Sequence, residues 1–238
     1  MKMVKRVGQG KIAEINPVFG YLASLATFKD LRCKATEANH FLDLDVIEEA
    51  LRVRLCYQLA SILAARKKST ATKTDFVNSE MALEIVKVAQ EHIKYISFIL
   101  FGCKIKPSPD FNLVPLQCPK NKENMSNLCM LYGLCQLNED AHGCYESGYF
   151  QAGVPYGELI LQAIKTVNLR LRPQAIAIVE ALPMPDAVSV SAVGNSYGDI
   201  YETHLEWAKN SRLNKTKAGD AIPDGYMEYM MPLLKGKM

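Results

Sequence analysis

The sequence is poor in the features that mark a self-contained chemical centre. It holds no Gly-x-Gly-x-x-Gly and no Walker pattern, and Gly8-Gln9-Gly10 is too short to cradle phosphates. Its seven cysteines never fall in a Cys-x-x-Cys pair, which excludes the usual zinc cages and a thioredoxin-like motif. The formal net charge is only +3 over 238 residues. With no RNA- or DNA-binding signature beside it, that charge gives no reason to expect nucleic acid. The most apolar window, Tyr95 to Phe101, falls far short of the roughly 20 residues of a membrane span. Met1-Lys2-Met3-Val4-Lys5-Arg6 is charged but has no apolar run behind it, so it does not read as a secretory signal. No segment alternates apolar and polar residues for long, so strands are not expected.

What is present is ordinary for a globular chain: 49% apolar and 22% charged residues, in a length ample to bury a core. Cys33, Cys56, Cys103, Cys118, Cys129, Cys135 and Cys144 lie mostly among apolar neighbours and read as small hydrophobes in a reducing compartment.

Helical periodicity dominates. Leu44, Ile47, Leu51, Leu55, Leu59, Ile62 and Leu63 form one stripe that predicts a helix over Asp45 to Arg66, with Asp45 and Glu48 as a capping box. The basic run Arg66-Lys67-Lys68 ends it, where cations suit the helix dipole. A second helix is predicted from Asp75 to Phe101, with Met81, Ile85, Val88, Ala89, His92, Ile96 and Ile99 inward and Gly102 as the stop. Pro107, Pro109, Pro115 and Pro119 make 103–120 the one linker. A third helix follows from Glu123 to Asp140. A fourth runs from Gly157 to Leu182 with a kink at Pro173, and shorter ones cover Val188 to Val193 and Asp199 to Asn210. Before all of these, Met1 to Ala26 reads as a broken helix, interrupted at Gly8 and Gly10 and ended by Pro17. The fold class expected is all-α, an up-and-down helical bundle with short trailing helices.

Candidates for chemistry are few. Glu139 and Asp140 are adjacent on a helix, point about 100° apart and do not form a working pair. Glu206 reads as a surface salt bridge or cap, and His92 as a core imidazole hydrogen-bonded across the bundle. His142 and Cys144, two residues apart in a Gly-rich loop, have no spacing that argues for Cys–His catalysis. Gly236-Lys237-Met238 has the small–basic–aliphatic shape of a peroxisomal tripeptide, though not the strong Ser-Lys-Leu form.

The most informative stretch is Tyr197-Gly198-Asp199-Ile200-Tyr201-Glu202-Thr203-His204-Leu205-Glu206-Trp207-Ala208-Lys209-Asn210-Ser211-Arg212-Leu213-Asn214-Lys215, which contains the only Trp. It resembles the C-terminal signature of peroxisomal acyl-CoA oxidases. Weaker similarity runs in family order through Met1-Lys2-Met3, Ala50-Leu51-Arg52-Val53-Arg54, Glu91-His92, Leu128-Cys129-Met130-Leu131-Tyr132 and Ile178-Val179-Glu180-Ala181. Arg212 departs from the pattern, standing where the family usually has Pro.

The resemblance implies the C-terminal third of an FAD-dependent enzyme that oxidises fatty acyl-CoA to trans-2-enoyl-CoA and releases hydrogen peroxide. It implies a catalytic Glu in a Glu-Gly motif upstream, and no Glu-Gly occurs in this sequence. On that reading no residue here is catalytic, binds cofactor or binds metal, and FAD belongs to the full-length enzyme. Residues 1–30 would be the tail end of a preceding acyl-CoA dehydrogenase-like helical domain, 31–215 the oxidase C-terminal bundle, and 216–238 a tail with an import tripeptide.

Partners would be the remainder of the oxidase, a second oxidase subunit and the fatty acyl-CoA substrate, in the peroxisome. Tyr201, Leu205 and Trp207 form an apolar cluster that either docks on its own bundle or sits at the subunit interface. The rival reading is a stand-alone helical interaction module derived from an oxidase but not catalytic. A further expectation concerns Val4, Val7, Ile12, Ile15, Val18, Phe19, Leu22 and Leu25. Without upstream helices to cover them they would form an exposed patch, leaving Met1 to Ala26 mobile or self-associating.

Overall fold

The computed structural model describes residues 9, 16–182, 188, 191–194, 198–211 and 225–235, which are 74% helical with no strand. It is the all-α bundle that the periodicities predict. It divides into two compact units, residues 1–174 and 175–238.

In the first unit, α1 (Leu44–Lys68), α2 (Ala82–Ile105) and α3 (Pro119–Glu139) pack on one another, α4 (His142–Glu146) lies on α1, and α5 (Tyr156–Leu171) lies on α3. Of the predicted α1 stripe, Ile47, Leu51, Leu55 and Ile62 are buried, while Leu44, Leu59 and Leu63 are half-buried. Its cap is Asp43 rather than Asp45, because the Asp43 carboxylate accepts from the Asp45 N–H at 2.9 Å. Arg66, Lys67 and Lys68 occupy the last turn.

The second helix departs from expectation in three ways. It is preceded by one turn at Lys73–Asp75 and a π-helical turn at Phe76–Glu80, with Met81 breaking the run. It passes through Gly102 to Ile105, since a glycine inside a helix costs only about 1 kcal/mol and packing outweighs that. Its buried face is also turned by one residue: Glu91, Tyr95, Phe98 and Ile105 are buried, while Ile85, Val88, His92, Ile96 and Ile99 are half-buried and Ala89 is exposed. A buried Glu hid the true face from a reading based on apolar periodicity.

The proline-rich linker shortens to 106–118, because Pro119 starts α3 at the position where a missing N–H costs nothing. The predicted kink at Pro173 is a break: α5 ends at Leu171, a 3₁₀ turn spans Arg172–Gln174, and α6 (Ala175–Glu180) follows. The boundary between the two units falls at this break. Of the helix expected at Val188 to Val193, residue 188 is helical, whereas 191–192 are not and 193–194 lie in a turn. In the second unit α7 (Ile200–Asn210) is capped by Asp199, whose carboxylate accepts from the N–H groups of Tyr201 and Glu202. A final π-helical turn at Tyr226–Met230 leads into α8 (Met231–Leu234).

Pro17 starts a helix where the sequence suggested an end. A 3₁₀ stretch covers Pro17–Ala26, with the Asn16 side chain accepting from the Val18 N–H at 3.0 Å. The exposed patch expected here is also corrected. Tyr21 and Leu22 are buried, and Val18, Phe19 and Leu25 are half-buried. Phe19 stacks on His92 and Tyr21 meets Tyr95 edge-on, so α1 and α2 supply the cover. Val4, Val7, Ile12 and Ile15 lie outside the described residues.

Candidate functional site

The centre of the first unit is a buried charge lock. Arg54 sits on the inner face of α1 between Val53 and Leu55, only 2% exposed. One terminal nitrogen donates to the carbonyls of Gln136 (2.6 Å) and Asp140 (2.5 Å) at the end of α3, and the other donates to the Glu91 carboxylate on α2. Orphan carbonyls at a helix C-terminus carry partial negative charge, so a guanidinium is the natural partner for them. Lys94 adds a second cation to Glu91 at 3.2 Å. Three helices are thereby tied through one side chain.

Two neighbours fit around the lock. A Cβ on Gly143 would stand 3.0 Å from Arg54 Cγ and 3.3 Å from its carbonyl oxygen, so α4 needs glycine there to approach α1. Cys144, fully buried, donates from Sγ to the Ala50 carbonyl at 3.4 Å, and burial pushes its thiol up to about 12. It is a packing group, and nothing brings it to His142, which opens α4 at the surface.

Asp140 is half-buried. Burial raises its carboxyl, but the Lys87 ammonium at 2.9 Å and the His142 N–H at 3.0 Å win and hold it below its usual value. Glu139 is exposed, 3.8 Å from Lys94. The second polar cluster joins Glu48 to Arg52 (3.0 Å) and to the Tyr95 hydroxyl (2.6 Å), while Arg52 also donates to Ser24. Tyr149 donates to Glu49 at 2.9 Å.

Each of these buried or half-buried carboxylates is engaged by a protein cation or hydroxyl. No group of His, Cys, Asp or Glu that could hold a metal occurs among the described residues.

His92 does not make the hydrogen bond expected of it. Its Nδ1 is buried without a partner, and the ring instead stacks on Phe19, 5.1 Å between centroids and 3° from parallel. Desolvation holds its imidazole below the ordinary value.

On α7, Tyr201 and Leu205 are 85% and 55% exposed and Trp207 is 45% exposed. At 3.6 residues per turn Tyr201 and Leu205 share a face, but Trp207 stands about 160° from Leu205, so the three do not form the single cluster expected. The ring partner of Trp207 is His204, edge-on at 5.8 Å. Glu206 is exposed. Gly236, Lys237 and Met238 lie outside the described residues.

A family model for acyl-CoA oxidase matches residues 43–235, most of the chain. The chain belongs to the acyl-CoA oxidase family. It is 25% identical, over its full length, to the peroxisomal acyl-coenzyme A oxidase 1 of Arabidopsis thaliana, and spans 33% of that protein. To the mouse (Mus musculus) peroxisomal acyl-coenzyme A oxidase 1 it is 26% identical over 98% of its length, spanning 34% of the relative.

The fold matches the solved Arabidopsis acyl-CoA oxidase 1 with a TM-score of 0.80 and 24% identity, over 98% of this chain and 33% of that one. It matches the Caenorhabditis elegans acyl-CoA oxidase-1 complexed with FAD and ATP with a TM-score of 0.72 and 18% identity, over 98% and 33%. This family member thus spans about a third of the length of these relatives.

Sequence reasoning missed the lock of this oxidase-family bundle, although both partners lie in segments that carry the family resemblance. The signal was positional. Arg54 falls three residues after Leu51 and seven after Ile47, and Glu91 four before Tyr95 and seven before Phe98. Charged residues at core positions on two helices call for one another, because a lone buried charge is prohibitively costly.

Proposed function

We propose that the chain serves as the structural, dimer-forming C-terminal part of a peroxisomal FAD-dependent acyl-CoA oxidase. That enzyme converts acyl-CoA and oxygen to trans-2-enoyl-CoA and hydrogen peroxide in fatty-acid β-oxidation. The observation that carries the reading is the acyl-CoA oxidase match over residues 43–235 on a bundle in which the carboxylates of Glu91, Glu48 and Glu49 are engaged by its own side chains.

In this reading the base and the flavin belong to the remainder of the oxidase. No Gly-x-Gly-x-x-Gly turn opens a helix in this sequence, and the lock's carboxylates are bound to its own cations. Residues 1–30 close a preceding acyl-CoA dehydrogenase-like helical domain, and from Pro17 onward they dock on α1. Residues 31–215 make up the oxidase C-terminal region, with Tyr201, Leu205 and Trp207 as contacts to the second subunit. Residues 216–238 form the tail, with Gly236-Lys237-Met238 as the import signal.

The test is a chimaera in which this chain replaces the matching third of the Arabidopsis acyl-CoA oxidase 1. The expected product is a yellow dimer that releases peroxide from palmitoyl-CoA, whereas the Arabidopsis protein lacking that third does not. A folded chimaera that stays monomeric and colourless would sink the proposal. For targeting, a fluorescent protein ending in this C-terminus should collect in peroxisomes and become diffuse when the last three residues are deleted. Diffuse fluorescence for both proteins would reject the tripeptide alone.

A further inference from the structure

Between the C-terminal half of α1, the π-helical turn and the first turns of α2 lies a hollow of about 230 Å³ that the protein does not fill. Leu59, Ile62, Leu63, Phe76, Ile85 and Val88 line it. It exceeds the ~150 Å³ of an apolar cavity known to take up benzene. Two cations, Arg66 and Lys73, share the lining.

The π-helical turn shapes the hollow. The Met81 N–H bonds back to the Phe76 carbonyl at 3.0 Å, five residues away, and Phe76 is turned inward and buried. Such turns are frequent at functional sites. The Arg66 guanidinium lies 5.1 Å from the Phe76 ring centre and donates once, to the Ala71 carbonyl at 2.9 Å. That contact fixes its position and leaves its other donors unused.

The charge around the hollow is unbalanced. None of the ion pairs among the described residues involves Arg66, Lys67, Lys68 or Lys73. Of the acids nearby, Asp75 accepts from the Thr72 hydroxyl and Glu80 from the Ser69 hydroxyl, both at 2.6 Å, and Glu84 follows in the first turn of α2. Arg66 and Lys73 are the charged residues that line the hollow and no acid lines it, so its edge is positive, offset only in part by the partial negative charge of the α1 C-terminus. An apolar slot alone would suit any greasy group. An apolar slot with unpaired cations at its edge suits an amphipathic anion.

We propose that this hollow binds a free fatty acid, its hydrocarbon chain against Leu59, Ile62, Leu63 and Phe76 and its carboxylate at Lys73 and the unused donors of Arg66. The proposal rests on the hollow and not on the oxidase assignment, and it is tested on the 238-residue chain alone.

The experiment is displacement of fluorescent cis-parinaric acid by laurate. Saturable binding is expected, with laurate displacing the probe roughly tenfold better than lauryl alcohol, about what one charge-assisted hydrogen bond supplies. Lys73→Glu, at an exposed position that leaves the fold intact, should weaken binding by about tenfold. Val88→Trp should fill the slot and abolish binding, while Leu83→Ser, at an exposed residue outside the lining, should change nothing.

The proposal is overturned if the probe does not saturate, if lauryl alcohol displaces it as well as laurate, or if Lys73→Glu binds like the parent. Sedimentation on the same samples covers the rival occupant. A dimer dispersed by Val88→Trp would give the hollow to a second copy of the chain and equally overturn the fatty-acid site.

Discussion

Every buried side chain among the described residues belongs to residues 21–171, with the single exception of Ala192, and α7 contributes none. Both regions are helical, and both start with well-formed caps: Asp43 for α1 and Asp199 for α7. The difference lies in what the helix faces meet. Leu134, Leu137, Phe98 and Ile47 are closed off from water around a charge lock, while Tyr201, Leu205 and Trp207 keep 45% or more of their surface open. Capping decides where a helix begins, and burial decides whether it can stand alone. An isolated helix of α7's length is marginal in water. The first unit has the means of its own stability, and the second carries the kind of surface that partners use.

The largest effect expected from breaking this contrast is at Arg54. Arg54→Ala removes three hydrogen bonds and leaves Glu91 buried with only Lys94 beside it. Loss of about 3–5 kcal/mol is expected, read from urea unfolding. A loss under about 1 kcal/mol would mean that water reaches the lock.

Gly133→Val comes next. Even a Cβ there would lie 2.6 Å from the Phe98 ring and closer still to Ile47. Overpacking of about 1–3 kcal/mol is expected in the same assay.

A smaller effect is the pH dependence. Burial holds the His92 imidazole below its ordinary 6.5, so the fold favours the neutral ring. Its contribution is present above that value and is lost as pH falls through the lower folded value. The Asp140 carboxyl, held below 3.8 by Lys87 and His142 against the effect of burial, behaves alike at lower pH. The urea midpoint should therefore fall on acidification from about pH 7 to pH 5, and His92→Phe should remove that early part of the loss. An unchanged early slope in His92→Phe would assign the loss to other groups.

The smallest change in stability belongs to α7. Trp207→Ala and Tyr201→Ala should shift unfolding by less than about 0.5 kcal/mol in the isolated chain. In the chimaeric oxidase the same changes should weaken dimerisation by about 2 kcal/mol, as interface aromatics do. Equal effects in both settings would make α7 an ordinary core helix.

Much of this was legible in the sequence. The stripe from Ile47 to Ile62, the last-turn cations of α1, an interruption at Pro173 (read as a kink, found as a break) and the start of α7 at Asp199 follow from spacing and capping, which are local. The true inner face of α2 was not legible, because Glu91 and Arg54 count against burial when each is read alone and for it only as a pair. Pro17 was misread for a similar reason: proline ends one helix or begins the next, and Asn16 as its cap decided the matter. The cover for Leu22 and Phe19 came from α1 and α2, which no local pattern could supply.

The most direct test of the claim that this bundle is a scaffold is made on the purified 238-residue chain itself. Its flavin absorbance and its palmitoyl-CoA-dependent peroxide release are measured after incubation with excess FAD. The account predicts a colourless protein after desalting and no peroxide above the protein-free blank, with the helical circular dichroism of a folded bundle. A chain that retains yellow flavin, or that releases peroxide when palmitoyl-CoA is added, would contradict it.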